Sequence, residues 1–260
     1  IPKSLLQCHG GVDSSVAAVM LKKEGYNVTG ITLKLYNNSN VSKNKSCCAG
    51  IDIEDAKKVA INNDFPHIVL DYQEKFFEGV INKFVDSYSN GETPLPCVSC
   101  NQTVKFTDLL AEAKKMRADT LVTGHYAIRK GALSNASLHK ASDTSKDQSY
   151  FLFATLQDQL DYVRFPLGNF KKSEIRKLAK KYNLDVSDKP DSQDICFVTS
   201  DSYRDLIRNL NPENIKQGNI YDVENNIIGQ HKGIINFTIG QRKGIGISGS
   251  KEPLYVIDIN

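Results

Sequence analysis

Tryptophan is absent from the chain, and methionine occurs only twice and cysteine six times in 260 residues. The missing tryptophan decides little. The cysteine count is far too thin for a small disulfide scaffold, and a chain of this length buries a core without staples. No stretch approaches 18 consecutive apolar residues, so no membrane-spanning helix and no membrane partner are expected. The first eleven residues lack a basic region followed by an apolar run and a small-residue cleavage site. No secretory signal is visible, although the absent initiator Met leaves a removed segment open. No G-x-x-x-x-G-K-[ST] string occurs, which excludes a Walker-type ATPase. There is no internal repeat and no low-complexity tract. What remains is an ordinary globular mixture, 40% hydrophobic and 24% charged, with one or two domains expected from length. The net charge of +3 permits nucleic-acid binding without demonstrating it. In such a chain, expected in the cytoplasm, spaced cysteines serve as metal ligands, redox groups, nucleophiles or small buried hydrophobes.

The first half alternates between strand and helix patterns. A helix is expected over residues 14–24, a strand over Val28–Tyr36, a polar loop over Asn37–Gly50 and a helix over 52–63. A short strand His67–Leu70, a helix 73–89, a loop 90–100, a helix 101–116 and a strand Thr120–Val122 follow. Strands separated by helices imply parallel pairing with crossover helices, hence a doubly wound α/β sheet with ligands at the carboxyl ends of its strands. After about residue 200 the pattern changes. A helix 201–210 leads to Ile220–Val223, an Asn225-Asn226 turn, Ile227-Ile228 and Leu254–Ile259, which read as a small all-β module.

Gly10-Gly11-Val12-Asp13-Ser14-Ser15 lies between a short apolar start and an amphipathic helix. Glycines there let backbone wrap an anion, and the helix N-terminus adds N–H donors and a positive dipole end. Asp13 is suited to holding Mg²⁺ or capping the helix; the bland alternative is a plain strand–turn–helix. Gly244–Gly249 matches G-x-G-x-x-G but is followed by Glu252-Pro253 and a strand pattern, so it reads as a loop rather than a dinucleotide fingerprint. Cys97 and Cys100 form a CxxC just before a helix, where a thiol pKa is lowered. With Cys196 they are open to three readings: a redox or nucleophile pair, a metal or iron–sulfur site, or structural thiols. Adjacent Cys47 and Cys48 read as structural. His125, after a strand, is either a satisfied structural residue or a site residue. Lys146-Asp147-Gln148-Ser149 is either a capped helix start or a substrate-contacting loop.

Six segments in order, GGVDSS, TPLPCVSCN, TGHYA, KDQSYFLF, KPDSQDICF and NFTIGQRKGIGI, closely resemble the tRNA-specific 2-thiouridylase family of the PP-loop ATP pyrophosphatase superfamily, from about Leu5 onward. The resemblance implies a PP-loop ATP-binding catalytic domain over residues 1–200 and a small β-rich domain over 201–260. The resemblance further implies a C-terminal tRNA-binding β-barrel in the family, which is expected to be absent from this sequence. It implies ATP with Mg²⁺, ATP binding at Gln7, Cys8, His9, Gly10, Gly11, Val12, Asp13, Ser14, Leu33 and Gly124, and adenylation of the wobble-uridine C2 oxygen. Cys196 matches the position that carries a persulfide, and Cys100 the nucleophile that frees sulfide or forms a disulfide with Cys196. Leu95, Pro96 and Cys97 match the segment facing the target base; His125, Lys146, Asp147 and Gln148 match tRNA-contacting positions. The implied partners are tRNA and a persulfide-donating sulfur-relay protein of a cysteine desulfurase system. The chain departs from the family pattern at His9, usually Ser, and at Arg117, usually Gly. An iron–sulfur cluster on Cys97, Cys100 and Cys196 is the less favoured chemistry. A non-catalytic tRNA-binding remnant and another PP-loop adenylating enzyme are the alternative functions.

Overall fold

A computed structural model describes residues 1–36, 50–191, 195–198, 202–247 and 252–260. In chain order the regular elements begin with β1 (Lys3–Gln7), α1 (Val12–Lys23), β2 (Asn27–Lys34), α2 (Gly50–Asn62) and β3 (His67–Asp71). Helix α3 runs in three parts: Gln73–Phe76, a wide π-type stretch Phe77–Asn82, and Lys83–Ser89. Helix α4 does the same: Pro96–Cys100, a π-type stretch Asn101–Leu109, and Leu110–Lys115. Then come β4 (Thr120–Val122), the hairpin β5 (Ile128–Lys130) and β6 (Ser137–His139), α5 (Gln157–Tyr162), β7 (Val163–Arg164) and α6 (Lys172–Lys181). The described chain finishes through α7 (Tyr203–Leu210), β8 (Gly218–Tyr221) and β9 (Ile227–His231).

Two compact units emerge: residues 1–79 with 97–197, and residues 80–96 with 198–260. The first is built on a five-stranded parallel sheet in the order β3-β2-β1-β4-β7. β1 and β2 are buried on both faces, as strands inside a parallel sheet are, although Ser4, Gln7, Thr29 and Thr32 on them are polar. One face is packed by α1, whose Val12, Val16, Ala17, Val19 and Leu21 are buried with Leu6, Val28 and Val122, and by Ile175 and Ala179 of α6. Gly30 of β2 is needed for that packing: a Cβ there would lie 3.0–3.2 Å from His67, Phe65 and Cys8. The order reverses between β1 and β4, which is the switch point where such sheets open a ligand crevice.

The second unit has its own core. Tyr88 and Tyr203 stack with ring centroids 4.5 Å apart, and Phe84 meets both edge-on. β8 and β9 pair antiparallel with an irregularity between Ile220 and Tyr221.

The expected doubly wound parallel sheet and small β region are both present. The differences are local. α1 begins at Val12, two residues earlier than its apolar spacing implied, because Gly11 already supplies the N-cap. α4 begins at Pro96 rather than at 101, since Pro at the first helical position has its φ preset and needs no N–H partner. The CxxC is therefore inside the helix, not before it. Among the described residues Leu254–Ile259 joins no ladder; Val256 exchanges backbone bonds there, accepting from Gly240 and donating to Gln241. Its alternating half-burial mimics a strand, but among the described residues no neighbouring strand extends the pairing. The hairpin β5–β6 and helix α6 lie in stretches whose sequence carried no assignment. The loop expected at Asn37–Gly50 lies outside the described residues except Gly50, which opens α2. Cys47 and Cys48 are outside them too.

Candidate nucleotide and sulfur-transfer site

The glycine loop leaves the carboxyl end of β1 at the switch point. Gln7 ends the strand, fully buried, and neither polar atom of its amide has a partner. Cys8 is also buried; its burial pushes the thiol up to about 12 against the opposing backbone bond from Ile31, so it stays neutral. Gly10 has φ +64°, and a Cβ on it would sit 2.1 Å from the Asp52 carbonyl oxygen. Only glycine satisfies both the backbone angle and the approach. Gly11 caps α1 with no side-chain hydrogen bond, leaving the first-turn N–H groups uncapped at the positive end of the helix. The loop is closed by the His9 amide, which donates to Ser14 Oγ at 3.1 Å. The His9 backbone thus makes the turn despite its bulk. Its imidazole is lowered to about 3, by burial first and by Lys105 second, so it is neutral at ordinary pH.

The loop after β4 faces it. Gly124 packs so closely on α1 that a Cβ would lie 3.0 Å from the Ser14 amide nitrogen. His125 shares a 2.8 Å hydrogen bond with Thr123 Oγ1 through Nδ1, and its ring meets Phe106 and Phe165 edge-on. Burial, then Lys105 and His9, hold it well below its ordinary value. Tyr126 donates from its hydroxyl to Asp13 Oδ1 at 2.8 Å.

Asp13 is the pivot of a charge network. Lys172 Nζ donates to Asp13 Oδ1 at 2.8 Å and Oδ2 at 2.7 Å. The same ammonium is 2.9 Å from Asp191 Oδ1. Asp191 also accepts from Lys146 at 2.9 Å and Arg176 at 2.8 Å. Burial works to raise the Asp191 carboxyl, but Lys146 and Lys172 outweigh it and hold it at about 2. Lys189 donates to the Gly10 carbonyl at 3.0 Å, to Asp55 at 2.9 Å and to Asp52. The expected Mg²⁺ site at Asp13 does not fit this arrangement, because both carboxylate oxygens are taken by Lys172. Among the described residues no group of three or more His, Cys, Asp or Glu is arranged to hold a metal ion.

The thiols Cys97, Cys100 and Cys196 are all free. The expected Cys100–Cys196 disulfide is therefore not formed, and the three sulfurs are not gathered into a ligand set. Cys100 is buried and its thiol is raised, not lowered: burial dominates, Cys97 adds to it, and Lys105 opposes. The position of Cys100 near a helix start is outweighed by its burial, which removes water and disfavours the thiolate. Cys97 is exposed. Cys196 is set by its neighbours: its carbonyl accepts from Tyr36 Oη at 2.9 Å, and Phe197 meets Phe76 edge-on at 5.7 Å.

The remaining expected positions are spread differently. Val12 opens α1, and Leu33 is fully buried within β2 beside Leu70. Leu95, exposed, and Pro96, buried, belong to the second unit. Gln148 exchanges two bonds with Tyr126, accepting its amide at 3.0 Å and donating its own amide to the Tyr126 carbonyl at 2.8 Å. Asp147 accepts from the Ala141 amide and the Ser149 hydroxyl, both at 2.8 Å. Tyr126, Lys189 and Asp191 stand inside quoted motifs but were not singled out. Lys172 lies outside every motif, and nothing local marks it.

A parallel sheet reversing at β1/β4, with a glycine loop opening a helix there, defines a nucleotide-binding α/β protein. A family model described as "tRNA methyl transferase HUP domain" matches residues 3–200, and one described as "tRNA methyl transferase PRC-barrel domain" matches residues 205–260. The tRNA-specific 2-thiouridylase of Ehrlichia ruminantium (strain Welgevonden) is 58% identical over 252 residues, covering 96% of this chain and 68% of that protein. The same enzyme of Rickettsia prowazekii (strain Madrid E) is 55% identical over 252 residues, covering 96% and 70%. The chain belongs to the tRNA-specific 2-thiouridylase family. Among solved structures, an NMN synthetase from Francisella tularensis aligns with a TM-score of 0.46 at 17% identity, covering 81% of this chain and 77% of that one.

Proposed function

We propose that this chain is an ATP-dependent tRNA-uridine 2-sulfurtransferase. The observation that carries the reading is the identity of 54–58% over most of the chain to enzymes named for that activity. A different adenylating enzyme or an inert remnant is correspondingly disfavoured. The Gly10–Ser14 loop receives the ATP phosphates on its uncapped amides, in keeping with its geometry. Mg²⁺ travels with ATP as part of the substrate. The uridine C2 oxygen attacks the α-phosphorus; pyrophosphate leaves and the oxygen becomes part of an AMP leaving group. The terminal sulfur of a persulfide on Cys196 then bonds to C2 and AMP departs. Cys100 attacks Sγ of Cys196, so the S–S bond of the persulfide breaks, two thiols become a disulfide and the transferred sulfur is reduced. A reductant must restore the thiols afterwards.

On this reading residues 1–200 carry the chemistry and residues 201–260 support tRNA. Leu95, Pro96, Cys97, His125 and the Lys146–Gln148 segment contact tRNA. The sulfur arrives from a persulfide-donating partner, and the enzyme works in the cytoplasm. Among the described residues no helix is long and apolar enough to cross a membrane.

The test is reconstitution with MgATP, a wobble-uridine tRNA transcript and a cysteine desulfurase with cysteine, followed by nucleoside mass spectrometry. 2-Thiouridine is expected from the wild-type chain. Cys196→Ser and Cys100→Ser should lose it while retaining tRNA-dependent pyrophosphate release. No 2-thiouridine from the wild-type chain, with tRNA bound and donor active, would overturn the reading.

A further inference from the structure

Lys189 lies past the end of α6, and its backbone is held from both sides. Its amide donates to the Val186 carbonyl at 3.0 Å, and its carbonyl accepts from both terminal nitrogens of Arg176, on α6, at 3.2 Å. From this anchored point the side chain reaches the glycine loop, 179 positions earlier in the chain. An ammonium has three N–H donors, and three oxygens take them: the Gly10 carbonyl at 3.0 Å, Asp55 Oδ2 at 2.9 Å and Asp52 Oδ1. The side chains of Lys189, Asp52 and Asp55 are 29%, 9% and 23% exposed, so water competes weakly for these bonds. Burial works to lower the Lys189 ammonium, but its bonds to Asp52 and Asp55 outweigh it and raise it, so the group stays charged. Both acids stand in the first two turns of α2, and the loop rests on the same helix: Gly10 comes so close to the Asp52 carbonyl that no Cβ fits between them.

The bond to Gly10 decides which way one peptide faces. A trans peptide holds its carbonyl and the following N–H antiparallel. With the Gly10 carbonyl drawn to Lys189, the Gly11 N–H points away from Lys189 and its two acids. The loop there presents a donor rather than an acceptor. Nothing in the two glycines enforces that choice, because neither carries a Cβ to resist rotation of the plane between them. The space beside Gly11 is open as well, with nothing within 4 Å of where a Cβ would stand. Turned over, the same peptide would meet a phosphate with an oxygen in place of an N–H. The ammonium has a second effect. It stands against the charges of Asp52 and Asp55, which would otherwise act on an anion in the loop.

We propose that Lys189 is a positioning residue for nucleotide binding: by holding the Gly10 carbonyl against α2, it fixes the Gly10–Gly11 peptide with its N–H available to the phosphates. The role rests on the nucleotide reading of the loop given above. It deepens that reading, because the glycines supply the freedom to form the phosphate cradle and a lysine far along the chain selects the orientation that binds.

The experiment uses the whole chain and an ATP analogue with a methylene bridge between the α and β phosphorus atoms, with Mg²⁺. Calorimetry reports affinity, a melting curve confirms that each variant is folded, and selective ¹⁵N-glycine labelling follows the Gly11 amide, assigned by its loss in Gly11→Ala. In the wild type the analogue should bind and move the Gly11 resonance downfield, as an N–H donating to phosphate does. Lys189→Met should bind about tenfold or more weakly, the factor by which a hydrogen bond to a charged group ordinarily holds one arrangement over another. At saturation its Gly11 resonance should stay where it was. Lys189→Arg, which keeps the charge and the donors, should bind within about threefold of wild type and restore the shift. Asp55→Asn loosens the clamp while leaving the ammonium in place and should weaken binding about threefold; it carries the test if Lys189→Met does not fold, and unchanged affinity in it then overturns the proposal. A purely structural role would lower the melting temperature of Lys189→Met and leave its affinity and its Gly11 shift as in wild type, which overturns the proposal. Weaker binding with an undiminished Gly11 shift at saturation overturns it too, because the peptide would then be facing the phosphates without Lys189. If calorimetry detects no binding to wild type, the nucleotide reading falls first and takes this one with it.

Discussion

Replacing Asp191 by Asn should destabilise the first unit by an amount that depends on pH in a specified way. Asp191 sits among Lys146, Lys172 and Arg176, with a side chain 23% exposed, so solvent screens it only partly. A carboxyl held at about 2 instead of its ordinary 3.8 contributes about 2 kcal/mol at neutral pH, at about 1.4 kcal/mol per pH unit. The folded-state value is the depressed one. The contribution is therefore complete above pH 4 or so and is lost as pH falls from about 4 to about 2. At pH 7 the Asn variant should lose about 2 kcal/mol, which for a unit of this size lowers the melting temperature by about 5 °C. The gap between the two proteins should narrow through pH 3 and close near pH 2. Urea titrations followed by circular dichroism at pH 7, 4, 3 and 2 measure it directly. An Asn variant as stable as wild type at pH 7 would refute the reasoning. So would a gap that persists unchanged at pH 2, because a cavity or packing loss would not titrate.

Three further outcomes follow from the same site. Gln7→Met removes an amide with no partner from a fully buried position and should raise stability by about 1–2 kcal/mol in a urea titration; a loss of similar size would mean that the amide is satisfied in solution. Gly10→Ala forces a Cβ into the Asp52 carbonyl at a left-handed φ and should cost about 2–5 kcal/mol, whereas Gly11→Ala, with nothing within 4 Å of its Cβ, should melt close to wild type. The alkylation rate of Cys100 should keep rising with pH beyond the range of an ordinary thiol, and Lys105→Met should displace the curve further upward, since Lys105 is the group that opposes burial there; an unmoved curve would show that Lys105 does not act on the thiol.

The fold was readable in the sequence where local pattern and long-range packing agree. Short strand patterns such as the alternation from Val28 to Tyr36, separated by amphipathic helices, imply a parallel sheet with crossover helices, and the glycine pair before α1 lies at the carboxyl end of β1. For the chemistry, the family motifs name the residues to which roles are proposed, because Gly10, Cys100, His125 and Cys196 are recognisable from their immediate neighbours. Where the pattern was short or ambiguous it misled: the half-buried alternation at Leu254–Ile259 imitates a strand that has no partner strand among the described residues. The state of each side chain was beyond reach of the sequence. The CxxC sits at a helix start, which argues for an acidic thiol, yet the packing around Cys100 raises it. His9 and His125 are neutral for the same reason. Lys172 is an ordinary lysine among several at the start of α6, and only the fold brings it from 159 positions away onto both oxygens of Asp13. The physical reason is common to all of these. Hydrophobic period and turn chemistry are properties of neighbours in the chain, whereas desolvation and charge pairing depend on neighbours in space, which the tertiary structure alone supplies.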